Sequence, residues 1–299
     1  MALLYVLLAV LFIGPFILML WGYFNGRSQD LNESSSRPIP VRLIANSAVL
    51  YALSYNVIYF IQELFLCLGK QRIGLTSYLY HNNHNWEGSD PRDQLMQGTG
   101  ALAIFVLGVI LLYVFLHIRS NRSWWTLFIL WLTFHALIQS LPQVATAPLD
   151  PGSDTGQAFV YLNMPAAVNI TLAALGILAI VWLSYLFSKY FLALGREGQT
   201  FDHPFKRFKT VWQVAVLPAI LGTILLFPYR IPPVDRYTMT YMLLLVSIPS
   251  VFAFAWVGKA PKAVGSGAYD KVLVIPIVLS ILVLLFFHIV LRPGVVFYG

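Results

Sequence analysis

The sequence is poor in cysteine and in charge. Cys67 is the only cysteine, so the chain has no internal disulfide, no thiolate zinc site and no C-x-x-C redox pair. Charged residues make up 10% of the chain, against about 25% in an ordinary soluble domain. Catalytic signatures are missing as well. There is no H-E-x-x-H, no G-x-S-x-G, no phosphate-binding loop, no dinucleotide-binding glycine pattern and no repeated set of histidine boxes. Nor is there an internal repeat of the kind that marks many transporters.

Hydrophobic residues fill 59% of the 299 positions. They recur as runs of roughly 20 residues, the length needed to cross a bilayer as a helix. The fold class expected is therefore all-α: a polytopic integral membrane bundle of about eight transmembrane helices, forming a single membrane-embedded domain over 1–299. The runs cover 2–24, 43–68, 98–118, 124–141, 164–194, 211–227, 238–257 and 272–291. The first run lacks the basic flank and the small-x-small site of a cleaved signal peptide and is read as retained. Trp21, Trp124, Trp125, Trp212 and Trp256 fall near run ends, where amphipathic rings suit the headgroup level.

The net charge of +7 would suggest nucleic acid in a soluble protein. Here the cations sit at the ends of apolar runs, which points to membrane lipids as partners and to no nucleic acid. Thirteen of the 19 Lys and Arg fall on one side of the proposed topology, among them Arg42, Arg119, Lys189, Arg196, Lys206 and Lys271. The other six fall opposite. The richer side is expected to be cytoplasmic, with both termini outside and the protein in the plasma or bacterial inner membrane. The segments 70–97 and 142–163 then become extracytoplasmic polar loops. The cytoplasmic connection 195–210 carries Phe201, Phe205 and Phe208 with Lys206, Arg207 and Lys209 between them, a pattern expected of a short amphipathic helix lying in the interface. Pro218, Pro249 and Pro276 are expected to kink the last three spans.

Chemistry has few places to sit. The densest polar stretch runs from Tyr80 to Gly88 and contains His81, His84 and Glu87 at intervals of three. A helical turn would put His81 and His84 on one face, which Glu87 extends by another three residues, and two imidazoles with a carboxylate form an ordinary zinc set. The cofactor this reading implies is a divalent metal such as zinc, and the plainer alternative is a hydrogen-bonded loop. The Pro148–Gly156 stretch reads as turns, with Asp150 and Asp154 as weaker cation ligands.

Within the spans, Glu63 and His135 are the ionisable groups away from the ends, and Gln139 lies one turn beyond His135. Charge in hydrocarbon is costly and normally faces other helices for a purpose. Counted back from their span ends, Glu63 and His135 come out at similar depth. Asn56, Tyr59 and Glu63 share one helix face, as do His135, Gln139 and Gln143. Glu63, His135 and Gln139 are thus expected to meet in a catalytic polar pocket roofed by His81 and His84.

Three functions fit these features. One is a membrane-embedded enzyme with an outward-facing, metal-assisted site acting on lipid or peptide. Another is an accessory or structural subunit docked to other membrane subunits. The third is a proton- or ion-coupled transporter.

Overall fold

The computed structural model describes residues 41–119, 123–195, 201, 204–230 and 273–299, with nine helical positions between 6 and 24. Among the described residues, six helices are long and apolar enough to cross a membrane, and the protein is a helical membrane protein. These six answer to the second, third, fourth, fifth, sixth and eighth runs of the sequence. The seventh run, 238–257, and Pro249 lie outside the described residues.

Helix α1 (Val41–Arg72) is the hub. It contains no proline, and its first glycine is Gly69, so nothing interrupts its hydrogen-bond ladder. Leu75 N–H donates to the Lys70 carbonyl at 3.1 Å and Gly74 N–H to the Gln71 carbonyl at 3.0 Å, with Gly74 at φ +85°. This is a Schellman stop, which needs the left-handed residue that glycine supplies. After it come strands β1 (Thr76–Leu79) and β2 (His84–Glu87). The short helix α2 (Asp93–Met96) then leads through Gln97 into α3 (Gly98–Ile118).

Helix α4 (Trp124–Thr146) packs against both α1 and α3. A short helix α5 (Asp154–Tyr161) precedes α6 (Ala166–Ala193), which packs on α4. Helix α7 (Pro204–Val211) runs through a π-turn at 212–216 into α8 (Leu217–Leu226). Pro218 lies two residues past the end of this π-turn, in the first turn of α8, where a residue that cannot donate to the ladder is tolerated. Helix α9 (Val274–Phe286) ends in a second π-turn, followed by strand β3 (Val295–Phe297).

The strands form one antiparallel sheet of order β2-β1-β3 capping one end of the bundle. Leu79 faces His84 across the hairpin, and Tyr78 faces Val296 across the other edge. No strand was expected from the sequence. Position 81 is therefore in a turn and not in a helix.

The core lies where α1, α4, α6 and α8 meet. Trp131, Phe134, Phe187 and Phe191 interlock there at ring separations of 5.1–6.5 Å. Trp131 Nε1–H donates to Ser47 Oγ at 2.9 Å, satisfying the indole inside the core. Gly222 of α8 lies so close to α1 that an added Cβ would come within 2.5 Å of Tyr51 and 2.8 Å of the Ala48 carbonyl. Such close approach through small residues is a usual means of joining membrane helices.

The Phe201–Lys209 segment departs from expectation. A helix does start at Pro204, but it continues through the π-turn into the span. Phe201, Phe205 and Phe208 are buried, and Arg207 is buried with Nη1 donating to the Phe201 carbonyl at 2.9 Å. The aromatic stripe packs into protein, so this segment is the base of a span. Residues 196–200, 202 and 203 of that connection lie outside the described residues.

Candidate functional site

The polar site sits under the hairpin at the far end of α1. Glu63 projects from α1 towards β2 and is buried. His84, the first residue of β2, brings Nδ1 to within 2.8 Å of Glu63 Oε2. Its Nε2 lies 3.1 Å from Gln97 Oε1. The imidazole thus has an acceptor at each nitrogen, and both are satisfied when both nitrogens carry protons. Burial pulls the His84 pKa down, but the hydrogen bond and charge of Glu63 outweigh it, leaving it above its usual value.

The surroundings reinforce the pair. Trp86, two residues on and on the same strand face, stacks on His84 with centroids 5.8 Å apart. The Lys70 ammonium is fully buried. It lies 3.7 Å over the Trp86 ring and donates to the Asp93 carbonyl at 2.6 Å. Asp154, in the first turn of α5, is raised above the usual carboxylate range by burial and by the charge of Glu63, with His84 and Lys70 opposing. Two acids, an imidazole and an ammonium therefore act on one another at the point where the hairpin meets the bundle.

A second cation holds the hairpin from the opposite side. Arg230, just past α8, is buried. Its Nη1 donates to the His81 carbonyl and its Nη2 to Asn56 Oδ1, both at 3.2 Å. The guanidinium lies 3.8 Å over the Tyr59 ring, and the Tyr59 hydroxyl donates to the Asn82 carbonyl. Turn residues 81 and 82 are thus fixed from below. The expected shared face of Asn56, Tyr59 and Glu63 exists, but it serves Arg230 and the hairpin.

The expected Glu63–His135–Gln139 pocket does not form. Gln62, one residue before Glu63, is what meets α4: Gln143 Nε2 donates to Gln62 Oε1 at 3.2 Å. Adjacent helix positions point about 100° apart, so Gln62 on α4 turns Glu63 away from it. Gln143 is two turns beyond His135, which puts His135 about 12 Å deeper than this contact at 1.5 Å per residue. His135 is enclosed by Tyr51, Tyr55, Trp131 and Phe134, with ring centroids 4.5–6.1 Å away. Neither of its ring nitrogens has a hydrogen-bond partner among the described residues, and the same holds for Gln139 Nε2.

The expected metal set is also split. His81 lies in the turn, with its ring 6.2 Å from that of His288. In β2, His84 and Trp86 point inward while Asn85 and Glu87 point outward. Period-two alternation therefore puts Glu87 on the face opposite His84, beside Tyr78, whose phenol Glu87 holds above its ordinary value. Among the described residues no three His, Cys, Asp or Glu side chains are grouped to hold a metal ion. Asp150 closes a turn, its Oδ1 accepting from Gly152 N–H at 3.2 Å.

Lys70, Gln97 and Arg230 were missed by sequence reading. Lys70 and Arg230 stand at helix ends and Gln97 stands between α2 and α3, positions that carry no local signal for this site. The alternation His84-x-Trp86 was the one local signal for the strand that assembles them.

Beside this site, on the bundle flank, lies a cleft of about 650 Å³. Its walls include Leu102 and Phe105 of α3, Leu141 and Val144 of α4, Phe159 of α5 and Gly176 of α6. Comparison with family models, characterised proteins and solved structures finds no match.

Proposed function

We propose that this protein is a membrane-embedded enzyme that uses His84 and Glu63 as an acid–base pair on a substrate held at the membrane surface. The hairpin end is the extracytoplasmic one under the positive-inside reading, since 70–97 and 142–163 carry few Lys and Arg.

The observation that carries this reading is the two-sided clamp on His84. A carboxylate at Nδ1 orients an imidazole and favours its charged form, and the other nitrogen then faces the reacting group. Here that nitrogen rests on Gln97, a neutral acceptor that a substrate oxygen can replace. In hydrolysis, His84 Nε2–H gives its proton to the leaving oxygen or nitrogen as the bond from that atom to the acyl carbon breaks, and takes one back from the water whose oxygen bonds to that carbon. The Glu63 carboxylate, at 2.8 Å from Nδ1, stabilises the imidazolium. Neighbouring Asp154 and Lys70 set the local charge. No metal is needed for these steps.

The test is a comparison of wild type with His84→Gln and Glu63→Gln in nanodiscs made with native membrane extract. Both lipids and peptides are profiled by mass spectrometry. The reading expects a wild-type-dependent change in one substrate class, lost by at least about 100-fold in both variants, as for removal of an acid–base catalyst. Identical profiles for all three proteins would overturn it and leave the accessory-subunit reading, in which the same polar residues only hold the hairpin cap.

A further inference from the structure

Helix α5 carries a carboxylate towards the His84 site. A Cβ added to Gly98 would lie 2.9 Å from the Cβ of Ala158, so α5 and the start of α3 nearly touch. Asp154 is one turn before Ala158 and shares its face of α5. Gly98 follows Gln97, which lies at His84 Nε2. Asp154 thus stands on the Nε2 side of the imidazole, whereas Glu63 holds Nδ1. The charges report the same nearness: Asp154 acts on His84, and Glu63, His84 and Lys70 act on Asp154.

The fold does not use this carboxylate. Ser153 already caps α5, its Oγ accepting from Gly156 N–H at 3.3 Å. Among the described residues, the Asp154 carboxylate enters no hydrogen bond or ion pair. By contrast, Glu63, Asp90 and Asp150 are each engaged through a side-chain oxygen. The other charged neighbours do not occupy it. Arg92 is bound to Asp90 at 2.8 Å, and Asp93 of α2 gives its carbonyl to Lys70. Helices α3 and α4, which also pack on α5, bring no Asp, Glu, Lys or Arg. Asp154 is only partly buried, so it offers water an open acceptor beside His84.

Hydrolysis at His84 needs such a group. With a proton on each nitrogen the imidazolium has no lone pair. It can give a proton to the leaving atom, but it cannot take one from water at the same moment. We propose that Asp154 is the general base of this site and accepts the proton of the attacking water. This rests on the acid–base reading of His84 and Glu63 and adds the residue that activates the nucleophile. A lone pair of the water oxygen bonds to the acyl carbon as one of its protons passes to an Asp154 carboxylate oxygen. The bond from the acyl carbon to the leaving atom breaks, its electron pair stays on that atom, and the atom takes the His84 Nε2 proton. The neutral imidazole then takes the proton held by Asp154, which resets both groups. The proton that His84 recovers therefore comes from the water by way of Asp154. Burial and the Glu63 charge raise Asp154, moving it toward neutral pH, where a base works best.

The test uses two probes in nanodiscs, nitrophenyl decanoate and butyl decanoate. Nitrophenolate leaves without a proton, so the first probe bypasses the acid and still needs the base. Asp154→Asn should lose at least about 100-fold on both esters, while His84→Gln should lose as much on the butyl ester and less than about tenfold on the nitrophenyl ester. Added formate, a small external base, should restore turnover to Asp154→Asn at least about tenfold and leave His84→Gln unchanged. A merely structural carboxylate would show no such rescue. Asn has the shape of the protonated acid, so Asp154→Asn should unfold at the wild-type temperature, and Asp154→Glu should keep part of the activity. Three results overturn the proposal: a wild type that leaves the nitrophenyl ester intact, Asp154→Asn within about threefold of wild type on both esters, or a dead Asp154→Asn that formate does not revive. Each leaves the His84–Glu63 pair to be judged on the membrane substrates. Full activity of His84→Gln on both esters, with Asp154→Asn inactive and rescued, sinks the pair and keeps the base.

Discussion

Glu63 accepts from the Nδ1 of His84 at 2.8 Å, across 21 residues of chain and a tight hairpin. One residue earlier, Gln62 faces α4 instead. This division of neighbouring positions on α1 separates the bundle's internal packing from the site beneath the cap.

The pair should make stability pH-dependent. His84 is raised above its unfolded value, so its contribution is complete below about pH 6.5 and is lost as pH rises through the folded pKa. Asp154 is also raised, and it acts in the same direction: the folded state holds the proton more tightly, and stability falls as the group ionises. Thermal unfolding in detergent should therefore weaken from mildly acidic to alkaline pH. Glu63→Gln should cost about 1.5–3 kcal/mol at pH 6, the worth of a charge-assisted hydrogen bond, and should flatten the slope.

His135 should be dispensable. Its ring sits among four aromatic residues, and its nitrogens have no partner among the described residues. His135→Phe fills the same volume without a polar group to desolvate and should leave the unfolding temperature unchanged or raise stability by about 1 kcal/mol. Unaltered lipid or peptide turnover in this variant is expected too. Loss of turnover in a well-folded His135→Phe would restore a role for this residue.

Arg230 should hold the hairpin turn. Arg230→Lys keeps the charge but loses the planar fork that reaches both the His81 carbonyl and Asn56. The expected cost is about 1–3 kcal/mol. Amide hydrogen exchange should rise at Asn82 to His84 more than within α4. Equal protection in both proteins would show that the turn is held otherwise.

The α1–α8 contact should be intolerant of volume. Gly222→Ala places a Cβ against Tyr51 and the Ala48 backbone, with an expected cost of about 1–3 kcal/mol from overpacking. Gly152→Ala, whose added Cβ meets only Asp150 Oδ1 at 3.5 Å, serves as the mild comparison in the same melting assay.

The membrane helices were legible because apolar runs of bilayer length carry their own signal, and six of them have matching helices. The site was legible by composition: Glu63 and His84 both stood out as polar residues of interest. Their pairing was not. H-x-x-H spacing fits a helical turn, yet the alternation Thr76-Ser-Tyr-Leu and His84-x-Trp86 belongs to strands. The third strand, Val295–Phe297, pairs with β1 across more than 200 residues and leaves no local trace. Depth counting failed for a simple reason. Gln62 meets Gln143, which puts Leu68 about 9 Å beyond that contact and Leu141 about 3 Å short of it at 1.5 Å per residue, so the span ends used as rulers are not level.

The most direct test of the acid–base account is the 15N spectrum of His84 in nanodiscs, followed between about pH 5 and 9, the range over which histidine charge is set. The account predicts a His84 midpoint above the ordinary histidine value in wild type, with both ring nitrogens protonated below it, and a midpoint that falls in Glu63→Gln. A neutral imidazole at pH 6 in wild type, with a titration unaffected by Glu63→Gln, would contradict it.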